Sequence, residues 1–211
     1  MLGGCGTSTA ALGAGGYPVP ARGADTEEWN GSAWSETANL GTSRYGCHSA
    51  GTQTAALCIT GHTYPGSETV DVEQYDGSSW SQITDVNTSR RQHAAAGTST
   101  AALAIGGNNG GSVSDAVESW NGTAWTETHE INTARDALGG DGTSTLALVW
   151  GGTSPARDET EVYDGSSWTE SGDLNSGRWG TSGGGTTSSA VTAGGFVLPG
   201  NTASTATEEW T

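Results

Sequence analysis

The segment Gly6-Thr7-Ser8-Thr9-Ala10-Ala11-Leu12 decides the fold, because it recurs along the chain with little change. Its copies begin at residues 6, 51, 97, 142 and 185, so the spacings are 45, 46, 45 and 43 residues. A nearly constant period of this length indicates a repeat architecture, in which each unit buries its faces against its neighbours.

Each copy is followed by the same features in the same order. A short apolar run ends in a pair that is Gly-Gly in four units and Thr60-Gly61 in the second. A glutamate then precedes an aromatic residue by two positions. These glutamates are Glu27, Glu73, Glu118, Glu161 and Glu208, and their aromatic partners are Trp29, Tyr75, Trp120, Tyr163 and Trp210.

A turn and a tryptophan follow in four of the five units. Asn-Gly or Asp-Gly pairs tolerate the positive φ angles of tight hairpins, so two antiparallel strands are expected to meet at each pair. The tryptophans after these turns are Trp34, Trp80, Trp125 and Trp168. An arginine stands ten residues after each tryptophan, and these arginines are Arg44, Arg90, Arg135 and Arg178. Each unit therefore contains four short β-type runs, which is the content of one propeller blade.

The double glycine, the Glu-x-aromatic run, the tryptophan and the arginine together resemble the kelch repeat over nearly the whole chain. Period alone would also allow a WD-type propeller, but the Gly-His and Trp-Asp signature is missing. We predict an all-β fold: a single five-bladed kelch-like β-propeller with four-stranded antiparallel blades of about 45 residues. Its predicted blades are residues 1–41, 42–87, 88–132, 133–175 and 176–211.

The resemblance implies a position for each strand. The innermost strands would line a central channel, which suits their small residues, at 46–52, 94–98, 139–143 and 181–186. The next strand would run up to Gly61, the third would lie around 72–75, and the outermost strand would carry Trp80. The repeated tryptophans should pack between adjacent blades, and the repeated Glu and Arg should fasten strands and turns.

Composition limits the partners. The 211 residues carry a formal charge of −16, and the seven basic residues are all arginine. Such a surface repels nucleic acid and anionic membranes, so neither is expected as a partner. The N-terminal residues lack the pattern of a signal peptide, and no apolar run reaches membrane-spanning length. We expect an extracellular or virion-surface location.

No group of residues predicts catalysis, a cofactor or a metal. The three cysteines, Cys5, Cys47 and Cys58, are expected to be small buried thiols. The four histidines, His48, His62, His93 and His129, are not expected to converge, because His48 and His93 stand on opposite faces of equivalent strands. We therefore predict that the chain is not an enzyme, and a copper oxidase of the galactose-oxidase type is the least favoured alternative.

The connection between the second and third strand of each unit varies most in length and sequence, so ligand specificity would lie there. Aromatic residues beside amides and charges suit a glycan, although the same residues also suit a protein interface. The candidate ligand-binding residues are Tyr17, His62, Tyr64, Asn108, Asn109, Arg157, Asp158 and Phe196.

The fifth unit ends without its outermost strand, which leaves an open edge at Trp210. Open edges invite pairing with another chain, so a strand from another copy or from another structural protein is one expectation there. A strand from a C-terminal extension, or a last blade that has only three strands, is the alternative. The style of the repeats is similar to kelch-type structural and fibre proteins of aquatic bacteriophages. We predict a structural module of a virion or an extracellular filament that also serves in surface attachment. A multivalent lectin is the alternative.

Overall fold

The computed structural model describes residues 1–17, 23–63, 65–153 and 157–211, and all regular structure in these ranges is β-strand. Within them, no helix has the length and hydropathy needed to cross a bilayer. Each of the five sequence units contains one main antiparallel sheet whose strands mostly follow one another in chain order.

The first two units give two four-stranded sheets. The first sheet contains β1 (Gly3–Gly6), β2 (Ala11–Ala14), β3 (Thr26–Trp29) and β4 (Trp34–Glu36). After β5 (Arg44–Tyr45) come β6 (His48–Thr52), β7 (Ala55–Ile59), β8 (His62–Thr63), β9 (Val72–Tyr75) and β10 (Trp80–Gln82). The second sheet has the order β10-β9-β7-β6, and β5 pairs with β8 separately.

The third and fourth sheets repeat this arrangement. The third contains β11 (Ala94–Thr98), β12 (Ala101–Ile105), β13 (Val117–Trp120) and β14 (Trp125–Glu127). The fourth contains β15 (Gly139–Gly142), β16 (Ala147–Trp150), β17 (Thr160–Tyr163) and β18 (Trp168–Glu170).

The last unit differs, because its main sheet has three strands in the described part of the chain. β19 (Arg178–Trp179) precedes β20 (Ser182–Thr186), β21 (Ser189–Ala193), β22 (Phe196–Val197), β23 (Thr202–Ala203) and β24 (Thr207–Trp210). The fifth sheet has the order β20-β21-β24, and β19, β22 and β23 form a small separate sheet. β24 thus holds the place of the third strand, and within the described residues only one of its edges is paired.

The outer hairpins form because an Asn or Asp side chain closes each turn. In the fourth sheet, Asp164 Oδ1 accepts hydrogen bonds from the backbone N–H groups of Ser166 and Ser167, both at 2.8 Å. Gly165, which lies between Asp164 and Ser166, has a φ of +94°, which a residue with a Cβ adopts only with strain. The hairpin then places Trp168 directly opposite Tyr163.

The sheets are arranged side by side, with the innermost strands β1, β6, β11, β15 and β20 adjacent in that order. Backbone hydrogen bonds also join consecutive units at one end of these strands. They run from Gly46 N to Met1 O (3.0 Å), Gln92 N to Gly46 O (2.7 Å), Ala137 N to Gln92 O (2.7 Å) and Gly180 N to Ala137 O (2.8 Å).

The core lies between neighbouring sheets. Between the third and fourth sheets, Trp168 is buried with Leu103, Ile105 and Ile131. Between the second and third, Trp125 is buried with Leu57 and other apolar residues. The outer-strand tryptophans of the second, third and fourth sheets therefore pack against the preceding sheet.

Trp34 is the exception to this pattern, because 51% of its surface is exposed. The reason is that no described sheet covers the side of the first sheet that carries it. The prediction that every repeated tryptophan packs between two blades is therefore wrong for Trp34.

Candidate interaction surfaces

A buried ion pair holds each of the last four sheets to the loop before it. Arg90 Nη2 donates to Glu118 Oε1 at 2.6 Å, and both side chains are almost fully buried. Glu118 also accepts the backbone N–H groups of Asn87 and Thr88, while Arg90 Nη1 donates to the carbonyls of Gly106 and Ala116. The pair thus satisfies several backbone groups at once. Equivalent pairs join Arg44 to Glu73, Arg135 to Glu161 and Arg178 to Glu208.

Glu27 stands at the corresponding position of the first sheet but is exposed. The described part of the chain gives it no arginine partner. The set of repeated glutamates predicted to fasten strands and turns therefore does not include Glu27 in this structure.

The residue directly after each repeated arginine contacts the variable connection. These residues are Tyr45, Arg91, Asp136 and Trp179. The connection residues pair with them through β5–β8, through β19–β22 and through the bridges Arg91–Asn108 and Asp136–Thr153. This position was not predicted from the sequence. Its signal is that the residue type differs in every unit, although the arginine before it is constant.

Aromatic rings meet at this surface in the first two units. Tyr45 lies edge-on to Tyr17, with ring centroids 5.2 Å apart, and its other neighbour is His62 at 5.0 Å. Tyr17 is 55% exposed. Two of the predicted ligand-binding residues, Tyr17 and His62, are thus brought together by a third residue that was not predicted. Tyr64, also predicted, lies outside the described residues.

A polar network continues the surface into the next two units. His62 Nδ1 lies 3.3 Å from Glu68 Oε1, and Arg91 Nε lies 3.4 Å from the same oxygen. Partial burial opposes ionisation of Glu68, but hydrogen bonds from its own backbone and from His62, with Arg91 nearby, hold its pKa below the ordinary value. Asn108 Nδ2 then donates to Asp136 Oδ2 at 3.2 Å.

The other predicted ligand-binding residues lie in their own loops. Asn109 Oδ1 accepts from the backbone of Gly111 and Ser112 and so closes a turn. Arg157 Nη1 pairs with Glu159 at 2.7 Å, and Asp158 is exposed. Phe196 stacks on Trp179 with ring centroids 4.8 Å apart. The surface therefore has an aromatic cluster at each end and charged groups between them.

The prediction that the histidines do not converge is wrong for one pair. His48 and His93 lie with ring centroids 5.3 Å apart. They do stand on opposite faces of equivalent strands. Because those strands belong to neighbouring sheets, the two faces are turned towards each other. Burial, with a smaller effect of the N-terminal amine, lowers the pKa of His48 to about 4, and burial also lowers the pKa of His93 well below its ordinary value.

The central channel encloses about 740 Å³ and is lined mainly by small residues of the innermost strands. Cys5 lies there, and burial, with a smaller effect of Asp141, raises its pKa to about 12. All three cysteines are free thiols. A hydrogen bond with Cys47 and burial raise the pKa of Cys58 well above its ordinary value. Cys5 and Cys58 are therefore protonated at neutral pH and are weak nucleophiles. Among the described residues, no three His, Cys, Asp or Glu side chains are placed to hold a metal ion.

Two sheet faces are left open at the ends of the series. β7, β12 and β16 of the three middle sheets are buried on both faces, whereas β2 and β21 are buried only at alternate positions. We call the open side of the first sheet the first end face and that of the fifth sheet the last end face. The first end face includes Leu2 and Trp34, and the last includes Val191 and Ala193.

Comparisons with known proteins bear on the fold. No family model matches the chain, and no curated protein matches its sequence. Among solved structures, that of YjhT, a β-propeller, is similar over 98% of this chain and 79% of its own, with a TM-score of 0.81 and 12% sequence identity. With its consecutive antiparallel sheets around a channel, the chain has a β-propeller fold.

Proposed function

We propose that this chain is a non-catalytic, kelch-type structural module of five blades that assembles through its two end faces, as part of a virion or an extracellular filament. The observation that carries the proposal is the exposure of both end faces. Leu2 and Trp34 are 58% and 51% exposed at the first end, and Val191 is 43% exposed at the last. Exposed apolar groups collected at two ends favour an interaction there over an isolated particle.

The contact that joins the middle sheets indicates that the two end faces are complementary. Val191 and Ala193 stand one repeat after Leu148 and Trp150, and two repeats after Leu103 and Ile105. Leu103 and Ile105 receive the tryptophan of the following sheet. The first end face offers such a tryptophan, Trp34, so the first sheet of one copy fits the fifth sheet of another. Head-to-tail contacts of this kind that do not close produce filaments.

Substitutions on the last end face test the proposal. Val191→Arg is expected to abolish assembly in sedimentation velocity experiments, because it places a charge in an apolar contact. Leu146→Arg is the matched control, since Leu146 is 51% exposed but lies in the turn between β15 and β16, away from the end faces. Equal assembly of both variants would contradict the proposal.

A multivalent lectin is the second candidate, favoured by the aromatic cluster of Tyr17, Tyr45 and His62 on the variable surface. Rings of this kind stack on sugars, and repeated blades would add avidity. Binding to a glycan array that is lost in Tyr45→Ala and kept in Tyr45→Phe would support it, because only the second variant retains the ring. Stoichiometric copper by elemental analysis would instead support an oxidase of the galactose-oxidase type.

A further inference from the structure

One turn recurs in the first four units with two different residue types at the same position. The residue that closes the outer hairpin is Asn30, Asp76, Asn121 or Asp164, and a glycine follows each of them. These four glycines have φ angles between +90° and +94°, so the four turns share one backbone conformation. The turn therefore accepts an amide and a carboxylate alike.

The side-chain contacts of the two forms are also the same. Asn30 Oδ1 accepts hydrogen bonds from the backbone N–H groups two and three residues later, both at 3.0 Å. Asp76 Oδ1 accepts hydrogen bonds from the N–H groups at the same two positions, both at 2.8 Å. The bonds to the carboxylate are shorter, as is usual for a charged acceptor. A change from amide to acid at Asn30 would therefore keep the turn.

The residues after Asn30 and Asn121 leave the reaction path of deamidation open. Asparagine is thermolabile because the backbone nitrogen of the next residue attacks its side-chain Cγ. Ammonia then leaves with Nδ2, and water opens the five-membered imide. Gly31 and Gly122 have no side chain to hinder this attack, and within the described residues neither backbone N–H donates a hydrogen bond. Both asparagines are exposed, so water reaches the imide.

A third Asn-Gly pair differs in one contact. Asn109 is also exposed, and its Oδ1 accepts the backbone N–H groups of Gly111 and Ser112 in the same way. The backbone N–H of Gly110, however, donates to Asn108 Oδ1 at 2.9 Å. The attacking nitrogen must lose this proton, so a hydrogen bond that holds the proton slows the attack. Asn109 is therefore an internal comparison for the other two sites.

Three further asparagines are held against the reaction. Asn87, Asn132 and Asn175 each donate from Nδ2 to a repeated glutamate, at 2.7 to 2.8 Å. These contacts restrain the nitrogen that has to leave. A threonine or a serine follows each of the three, and its side chain hinders the attack.

We propose that Asn30 and Asn121 are sites of spontaneous deamidation, at which the folded chain acquires the aspartate turn of Asp76 and Asp164, while Asn109 is protected. Each event consumes one water, releases one ammonia and exchanges an amide for a carboxylate. It thus adds one negative charge to the formal −16 of the chain. Neither an enzyme nor a partner chain is required, so the change is independent of the proposed assembly.

The new carboxylates would be ionised at neutral pH. Hydrogen bonds from the hydroxyl of Ser78 and from the backbone N–H groups of Ser79 and Ser78 hold the pKa of Asp76 at about 2. Ser32 stands at the position of Ser78, and its hydroxyl already donates to Asn30 Oδ1 at 2.8 Å. The turn of the first sheet therefore contains the donors that a carboxylate requires.

The added charges would lie on one rim of the propeller. A Cβ on Gly31 would stand 3.3 Å from the carbonyl oxygen of Thr9, and one on Gly165 would stand 3.2 Å from that of Thr145. Thr9 and Thr145 lie between the first two strands of their sheets, so the outer turns lie beside the inner turns. Deamidation gives this rim a carboxylate in each of four consecutive units. Copies that meet there should repel each other more strongly as the protein ages.

Peptide mapping by mass spectrometry tests the proposal. The purified chain is incubated at mildly alkaline pH and digested at intervals, and the peptides with Asn30 and Asn121 are expected to gain one dalton each. The gain at Asn109 should be about fivefold slower, which is the factor that one neutral hydrogen bond of ordinary strength supplies. No gain at Asn30 and Asn121, or equal rates at all three sites, would overturn the proposal.

A variant tests the protection of Asn109. Asn108→Ala removes the acceptor of the Gly110 N–H and is expected to raise the rate at Asn109 to that at Asn30. The rate at Asn30 within the same sample is the control, and it should not change. An unchanged rate at Asn109 would contradict the assigned role of this hydrogen bond.

The identity of the product tests the role of the turn. Isoaspartate lengthens the main chain and so displaces the N–H groups that the side chain accepts, whereas aspartate keeps them. We expect a larger share of aspartate at Asn30 in the folded chain than in a synthetic peptide of residues 28–35, which has no sheet to preserve. The same share in both would contradict the proposal. In thermal unfolding, Asn30→Asp should be at least as stable as the unchanged chain and Asn30→Ala less stable, and the opposite order would contradict it as well.

Discussion

Trp168 lies directly opposite Tyr163 in the outer hairpin of the fourth sheet, with ring centroids 5.0 Å and planes 27° apart. Its indole Nε1 donates to the carbonyl of His129 at 2.9 Å, in the connection that follows the third sheet. One side chain therefore stacks within its own sheet and is hydrogen-bonded to the sheet before. This double contact joins the fourth sheet to the third.

Removing that contact should cost far more than removing its exposed counterpart. Trp168→Ala is expected to lower the free energy of unfolding by about 3–5 kcal/mol, because it opens a large cavity between two sheets. Trp34→Ala should lower it by about 1 kcal/mol or less, since half of that side chain is already in water. Urea unfolding monitored by circular dichroism gives both values. Similar losses for the two variants would refute the proposed role of the inter-sheet tryptophans.

The buried ion pairs should be necessary for stability. Glu118→Gln is expected to destabilise the protein by about 3–5 kcal/mol, because Arg90 would remain buried without its carboxylate. The control is Glu127→Gln, which changes the exposed glutamate directly opposite Glu118 and should cost less than about 0.5 kcal/mol. Thermal or urea unfolding measures both. A small effect of Glu118→Gln would show that the pair contributes little.

The contact of His48 with His93 predicts a loss of stability in mild acid. Burial lowers both pKa values below that of an unfolded histidine, so the unfolded chain binds more protons as the pH falls. The stabilising contribution is therefore complete above about pH 6.5 and is lost as the pH falls towards about 4 for His48.

The double variant His48→Ala, His93→Leu tests this prediction. It inserts the residues that occupy the same positions in following sheets, Ala94 and Leu138. Unfolding free energies measured between pH 8 and pH 4 should depend less on pH in the variant than in the unchanged protein. Identical pH profiles would exclude the two histidines as the cause.

Much of the fold can be predicted from the sequence, because the repeat marks both turns and strands. The third strand of the second unit was expected around residues 72–75 and is β9 (Val72–Tyr75), and the innermost strand expected at 94–98 is β11 (Ala94–Thr98). Asn-Gly and Asp-Gly pairs mark the outer hairpins, and the nearly constant spacing of the repeat gives the positions of the other strands.

The contacts between units are harder to predict, because a repeat gives positions within one sheet only. The exposure of Trp34 follows from the missing neighbour of the first sheet, and the meeting of His48 with His93 follows from the adjacency of two sheets. The contacts of Tyr45 and Arg91 with the variable connections are of the same kind, because they join residues 17 positions apart that lie outside the main sheets.

The mass of the native particle, measured by light scattering over a range of protein and salt concentrations, tests the central claim most directly. We expect masses above 21.2 kDa that rise with protein concentration. They should also rise with salt, which screens the repulsion between chains of charge −16. A monomer of 21.2 kDa under all these conditions would contradict assembly through the end faces.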